Sequence, residues 1–410
     1  MEGKEEKSRR RSRESGMLRY ALVWFWVMAG AARTIPPPNG PEKEEASRPR
    51  FSDVFLAGQE GFPSIRIPSV VVTGRGTVLA VAEGRRAHAD QAENRLVLKR
   101  SMDGGRSWGP VQVIAADPPR CLNNPCMVVE RSSGKILILY QSYPPGVKEG
   151  SERIVPGWSG EWVVRTYQIS SRDDGLTWSP PTDITSTTKR PAGVTTVASG
   201  PGIGIQKRHN PHRGRLVIPF NEGPYGHWNI YAAVSDDRGQ TWRCGAVAPG
   251  AQVPDGKGGT ASQVNEVQVV ELSDGSLRMN ARRWAGRPFR KTCVSRDGGE
   301  TWSPVEDAAE LMDPGCMAGI LRYSDPLDGR DSALLFVGPQ SSRRENGTLF
   351  MSRDEGRTWP VRRVLWPGSF AYSVLTVLKD GTIGCLFETD DHHRIVFARI
   401  PPEWLFAAGN

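Results

Sequence analysis

SRDGGETW, Ser295 to Trp302, reads on its own as a surface turn. It recurs: SMDGGRSW begins at Ser101, SRDDGLTW at Ser171, SDDRGQTW at Ser235 and SRDEGRTW at Ser352. The pattern S-x-D-x-G-x-[ST]-W therefore occurs five times, at steps of 70, 64, 60 and 57 residues. Average residue usage gives a probability on the order of 10⁻⁵ per window, so the copies are a repeat and not chance. The Asp at the third position can accept backbone N–H bonds within a turn, and the Gly two residues later supplies a positive-φ conformation. The Trp ring packs between strands. Near-identical acids in separate repeats cannot all face one site, so the octapeptide is read as frame.

A second repeat runs beside the first. Turn residues feed a short apolar or alternating run in GRGTVLAVAEGR from Gly74, SSGKILILYQ from Ser132 and HRGRLVIPFN from His212. The same arrangement returns in SDGSLRMNAR from Ser273, DGRDSALLFVGPQ from Asp328 and KDGTIGCLFET from Lys379. Each is a tight turn entering a strand of β-rich composition, and no amphipathic helix of length separates them. Six such units at this period predict an all-β chain folded as a six-bladed β-propeller with four-stranded antiparallel blades.

Composition narrows the function classes. The 410 residues carry a formal charge of +8, with 13 Trp, 45 Gly and 32 Pro. Residues 1–32 hold +3 of that charge, which leaves +5 on the rest with no basic helix, arginine-rich run or zinc-finger spacing. A modest positive field of this kind suits small anionic ligands, and nucleic acid is not an expected partner. The N-terminus combines a charged segment with MLRYALVWFWVMAGAAR, whose uncharged run from Tyr20 to Ala32 ends in Ala29-Gly30-Ala31. A basic flank, a short apolar run and an A-x-A site predict a secretory signal, with translation from Met17 as one start and no stable membrane span. The expected destination is secreted, periplasmic or lumenal. Residues 33–50 read as a Pro-rich linker, and 51–410 as the propeller domain. The six cysteines lack zinc-ligand spacing and are read as mostly buried free thiols.

In a propeller, ligands favour the mouth of the channel where strand ends converge. Charged residues stand just beyond the strand units: Arg85, Arg86 and Asp90, then Arg282, then Arg343 and Arg344, then Glu388. An arginine at a strand end is also a common solvated ending, so none of these decides a function alone.

Together they carry a resemblance. From about Phe51 to Ile400 the chain resembles the exo-α-sialidase (neuraminidase) family. SIRIPS at Ser64 is similar to that family's [F/Y]-R-I-P motif, with Ser-Ile before the arginine in place of the aromatic form. The octapeptides match its Asp-boxes, which also occur in unrelated propellers, and a sixth box is missing. AEGRRAHAD, NEVQVVEL, MNAR, SRRENGT and AYS follow in the family's order.

The resemblance implies roles residue by residue. Arg66, Arg282 and Arg344 correspond to the three arginines that bind a substrate carboxylate through paired, charge-assisted hydrogen bonds. Arg85 corresponds to a further arginine near the substrate carboxylate and glycosidic oxygen. Tyr372 corresponds to the nucleophile and Glu266 to its base. A sialic acid bears a carboxylate on its anomeric carbon, so a neutral phenol avoids the repulsion a carboxylate nucleophile would meet; sialidases are the tyrosine exception among glycosidases. Read without the resemblance, Tyr372 is a packed aromatic and Glu266 a charge beside a turn. Asp90 corresponds to the acid/base, which requires a carboxyl raised towards neutrality, and Glu388 to an acid that holds the first arginine. Arg86, Arg343 and Glu271 are adjacent competitors. The run Asp390, Asp391, His392, His393 is read as a solvated turn, Asn124-Pro125 as pocket wall, and Trp158 and Trp162 as stacking or packing groups.

The implied activity is retaining hydrolysis of terminal α-linked sialic acids from glycoproteins, gangliosides and oligosaccharides, without metal or organic cofactor. The rivals are a non-catalytic Asp-box propeller, which does not require Tyr372 and Glu266 to meet, and a trans-sialidase or related nonulosonic-acid hydrolase.

Overall fold

The computed structural model describes residues 47–406. The signal-like segment and all but the end of the Pro-rich stretch lie outside the described residues. Among the described residues, no helix is long and apolar enough to cross a membrane.

Six antiparallel blades make up the described fold. The six turn-and-strand units of the sequence are the second strands of the six blades: Val78–Arg85, Lys135–Tyr143, Leu216–Gly223, Leu277–Arg283, Ala333–Pro339 and Ile383–Thr389. Each is flanked by its own sheet neighbours and sandwiched by adjacent blades, so apolar residues fill both faces. Lys135–Tyr143, Leu216–Gly223 and Ile383–Thr389 are buried along their whole length. That two-sided burial is why they read as continuous apolar runs in place of clean alternation.

The ring closes by sharing a blade. Ser373–Val377, Ile383–Thr389 and Arg394–Ile400 from the C-terminal end are completed by Arg50–Leu56 from the N-terminal end. This explains the missing octapeptide. Every Asp-box follows a blade's third strand, which ends at Ser101, Ser171, Ser235, Ser295 and Ser352 in turn. In the sixth blade the outer strand comes from the other end of the chain, so the turn that would carry a box does not exist.

The third blade departs from the plain pattern. Its inner strand is split into Thr196–Ser199 and Ile205–Gln206, and Gly202–Ile203 between them pairs in parallel with the second blade. Gly200-Pro201-Gly202 marks the break: both glycines have positive φ, and Pro201 has no N–H to give a ladder.

In the box that begins at Ser295, Asp297 Oδ1 accepts from the amides of Glu300 at 3.1 Å and Thr301 at 2.9 Å. Ser295 Oγ donates to Asp297 Oδ1 at 2.7 Å and accepts from the Gly299 amide at 2.8 Å. Trp302 is buried against the fourth blade's core. All six cysteines are free; five are buried and Cys244 is partly buried.

Candidate active site

The site residues come from strand ends of different blades, and β-bulges aim them. The inner strand of the first blade slips register between Arg66 and Ser69, that of the second between Asn123 and Cys126, and that of the fourth between Val264 and Val267. Each slip contains pocket residues: Ile67 in the first, Asn123 and Asn124 in the second, Asn265 and Glu266 in the fourth. A bulge adds a residue to one strand and turns its side chains out of the pleat. Ile67, with φ 62°, is a β-branched residue in the left-handed region, a costly conformation that the surroundings must enforce. They do so in part through its amide, which donates to Glu388 Oε1 at 2.8 Å.

The Tyr372 hydroxyl donates to Glu266 Oε1 at 2.5 Å. Arg282 Nη1 donates to the phenol oxygen at 2.9 Å and to Glu266 Oε2 at 2.7 Å. The guanidinium carbons of Arg66 and Arg344 lie 5.2 and 5.3 Å from the centroid of the Tyr372 ring. Arg66, Arg282 and Arg344, from the first, fourth and fifth blades, therefore surround one phenol. Burial and the Glu266 charge push the Tyr372 hydroxyl well above its ordinary range, against the pull of the three arginines, so it stays protonated.

Arg66 Nη2 donates to Glu388 Oε2 at 2.9 Å. Burial would favour the neutral acid, but Arg66 and the Ile67 amide hold the Glu388 carboxyl below its ordinary range. Arg344 is fixed from behind by its bond to the Gly315 carbonyl at 2.9 Å. Buried Nε donors of both Arg66 and Arg282 have no hydrogen-bond partner among the described residues.

Asp90 lies on the loop after the first blade's second strand, with its side chain 67% exposed. Arg85 Nη1 donates to Asp90 Oδ1 at 2.8 Å, and Arg66 Nη1 lies 3.8 Å from the same oxygen. The sequence reading requires a carboxyl raised towards neutrality; in this structure the opposite holds. Burial pushes Asp90 up, but Arg85, Arg66 and Arg282 outweigh it and hold the group below its ordinary range.

A cavity of about 230 Å³ is lined among others by Arg85, Asp90, Glu266, Arg282 and Tyr372, while Arg66, Arg344 and Glu388 stand outside its lining. Larger hollows of about 550 and 530 Å³ are lined by Arg50, Arg106 and Arg399 and share none of these residues. Volume alone does not mark the site; converging chemistry does.

The adjacent competitors fall outside. Arg86 is exposed and pairs with Glu93, Arg343 is exposed and pairs with Glu345, and Glu271 is engaged by Lys207. Asn124 does line the cavity. Trp158 donates to the Lys189 carbonyl, and Trp162 lies under Arg153. The DDHH run is more than a solvated turn, since His392 Nε2 stands 3.7 Å from Glu388 Oε2.

Other cavity residues were not singled out by sequence. Glu149 faces the cavity, and burial pushes its carboxyl up to about 7. Tyr225, Trp228 and Trp284 form an edge-to-face cluster with centroids 5.2, 6.1 and 4.6 Å apart. Tyr225 and Trp284 are 51% and 38% exposed, which is unusual for aromatics of this size. The local signal for these residues is slight: Glu149 sits in the polar stretch VKEGSER, and Trp284 stands two residues past Arg282.

Residues 76–385 match the model of the BNR repeat-like domain family. The chain is 36% identical over 378 residues to a sialidase of Micromonospora viridifaciens, covering 88% of this chain and 54% of that protein. It is 28% identical over 360 residues to a sialidase of Bacteroides fragilis, covering 82% and 62%. The chain thus spans between about half and two-thirds of the length of these curated relatives. Among solved structures it superposes on the Hadza microbial sialidase Hz136 with a TM-score of 0.74 and 26% identity, covering 85% of this chain and 68% of that one. Repeat, ring and relatives agree: the chain belongs to the sialidase family with BNR repeats.

Proposed function

We propose that this protein is a retaining exo-α-sialidase that uses Tyr372 as nucleophile on terminal sialic acids of glycoconjugates. The observation that carries the reading is the 2.5 Å bond from the Tyr372 hydroxyl to Glu266, with Arg282 bridging both. A non-catalytic propeller has no need of that contact.

The substrate carboxylate is held by Arg66, Arg282 and Arg344. Its anomeric carbon then sits over the phenol that the same arginines surround. Glu266 takes the phenolic proton as the oxygen attacks, and Arg282 stabilises the charge developing on that oxygen. Asp90 protonates the leaving oxygen and in the second half-reaction deprotonates water. In the free site three arginines keep Asp90 ionised. A bound carboxylate offsets their charge, which raises the Asp90 carboxyl and lets it hold the proton it must give.

The test is release of fluorophore from an aryl α-sialoside by wild type and by Tyr372→Phe. Wild type turns over, and the variant loses at least ~1000-fold in kcat. Proton NMR of the first-formed sugar should show the α-anomer. A well-folded wild type that cleaves no sialoside, or a first-formed β-anomer, overturns the reading. Addition of an acceptor sugar separates hydrolysis from transfer, since a transferase yields a new sialoside.

A further inference from the structure

Glu83 has no part in the scheme above, yet it is the most heavily bonded carboxylate near the site. It lies two residues before Arg85 on Val78–Arg85 and is 0% exposed. Arg85 donates to its Oε2 through Nε at 2.9 Å and Nη2 at 2.6 Å. Asn94 Nδ2 reaches the same oxygen at 3.1 Å and Asn123 Nδ2 at 3.3 Å. The Asn124 amide donates to Oε1 at 2.7 Å. Every neighbour of both oxygens is a donor, so no acceptor exists for a proton and the geometry fits the carboxylate. Burial works against that charge and outweighs Arg85 and the Asn124 amide, which oppose it, so the group lies above its ordinary range; it is the all-donor geometry that favours the carboxylate.

The same two asparagines run on to Asp90. Asn94 Nδ2 donates to the Asp90 carbonyl at 2.6 Å and Asn123 Nδ2 at 2.9 Å. Arg85 is likewise shared, with Nε and Nη2 on Glu83 and Nη1 on Asp90. One carboxylate therefore ties together the end of a first-blade strand, the loop that carries Asp90, and the bulge of the second blade.

We propose that Glu83 is a positioning residue: it aims the acid/base loop through Asn94 and Asn123, and it offsets the charge that Arg85 presents to Asp90. The role of Asp90 in this statement rests on the sialidase reading; the hub itself does not. Arg85 is fully buried, so its charge is poorly screened by water and acts strongly on its neighbours. With Glu83 ionised, part of that charge is already answered. With Glu83 neutral, Arg85 acts on Asp90 alone and the Asp90 carboxyl falls further. Too low a value deprives the leaving group of its proton.

The other charged groups facing Asp90 are Arg66 of the first blade, Arg282 of the fourth, and Glu149. Facing Glu83 besides Arg85 and Asp90 are the Cys121 thiol and the Tyr143 phenol. Burial pushes the thiol up to about 12 and the phenol well above its ordinary range, so both stay neutral.

The experiment compares wild type, Glu83→Gln and Glu83→Asp, each checked for folding by thermal melt. Carboxyl carbon-13 NMR titration follows Asp90, assigned by loss of its signal in Asp90→Asn. In Glu83→Gln the Asp90 pKa should fall by at least ~0.5 unit, because an adjacent counter-charge is removed. The basic limb of kcat/KM on the aryl sialoside should move the same way. Glu83→Asp keeps the charge on a side chain one methylene shorter; Asp90 should titrate within ~0.2 unit of wild type while kcat falls about 10-fold and KM stays within about twofold. A folded Glu83→Gln with the wild-type Asp90 titration overturns the proposal, as does Glu83→Asp with unchanged kcat. If Glu83→Gln does not fold, Glu83→Asp decides. If wild type cleaves no sialoside, the functional reading fails separately, and the titration still decides the electrostatic part.

Discussion

In the proposed reaction Arg282 does more than bind. It touches the Tyr372 oxygen and Glu266 directly, whereas Arg344 reaches only the Gly315 carbonyl and the flank of the Tyr372 ring. The two arginines should therefore fail differently. Steady-state kinetics of Arg282→Lys should show kcat down about 100-fold, since a lysine cannot bridge both oxygens in fixed geometry. Arg344→Lys should raise KM about 10-fold with a smaller effect on kcat. Similar kcat losses in both would remove the distinction drawn between them. Asp90 gives a second test at this scale. Its carboxyl is depressed in the free protein, and as the proposed general acid it must be protonated, so kcat/KM should fall as pH rises from the acid side. The kcat profile reports the complex, in which the bound carboxylate offsets the arginines, so its basic limb should lie at higher pH. Coincident limbs would remove the proposed coupling. Chemical identity at these positions was legible because each motif occurs once and each carries a charge or phenol that is odd at a strand end. Acidity was not. The pull on Asp90 comes partly from Arg66 and Arg282, distant in sequence, and no local pattern announces that neighbourhood. Glu83 shows the same limit, since AEGR marks a strand end without saying that five donors converge on its Glu.

Among elements, the octapeptide turns out to join blades as well as close turns. Its fifth-position Gly has positive φ in every copy: 87° at Gly105, 79° at Gly175, 75° at Gly239, 99° at Gly299 and 80° at Gly356. Each also lies against the preceding blade. A Cβ on Gly175 would stand 3.1 Å from Leu79, one on Gly239 2.8 Å from Leu137, and one on Gly105 2.2 Å from the Phe397 ring. Sequence showed the need for a left-handed residue; the second constraint, room for a neighbouring side chain, is tertiary and invisible there. Gly105→Ala breaks both at once and should cost about 2–4 kcal/mol, read as a lower midpoint in urea. Gly134→Ala, at a positive-φ turn with nothing within 4 Å, isolates the conformational part and should cost less. Equal losses would remove the packing argument. The box acids bear on pH as well. Although burial opposes it, Thr241 and Ser235 hold the Asp237 carboxyl down to about 2 from an ordinary 3.8. A depressed acid contributes stability that is complete above its unfolded value and lost as pH falls through its folded one. Thermal melts should therefore drop between about pH 4 and pH 2, and Asp237→Asn should flatten that slope.

At the scale of the whole molecule, the ring stands on a closure that the repeats do not encode. Five octapeptides and six strand units predict six blades, one without a box; the structure shows that this blade is assembled from both ends of the chain. The completing strand, Arg50–Leu56, carries no motif, and its RFSDVFL pattern is too short to declare a partner more than 300 residues away. Its hold is nonetheless specific. Val54 and Phe55 enter the core, Arg394 pairs with Asp53, and Ser52 Oγ links the Trp108 indole at 3.0 Å to the Gly105 carbonyl at 2.8 Å. The first Asp-box and the last blade are thereby locked by the N-terminal strand. The same sixth blade carries Tyr372 and Glu388, so in the proposed function stability and activity meet in one sheet. Phe55→Ala should remove about 3–5 kcal/mol and lower Tm by roughly 5–10 °C. Well below the transition, kcat on the aryl sialoside should stay within about twofold of wild type, because the inner strand keeps its partners. As temperature rises, activity should be lost before the bulk melt if the sixth blade opens first, since it holds Tyr372, the proposed nucleophile. If activity and bulk unfolding instead fall together at every temperature, the sixth blade is no weaker than the rest and the closure is not the ring's point of failure.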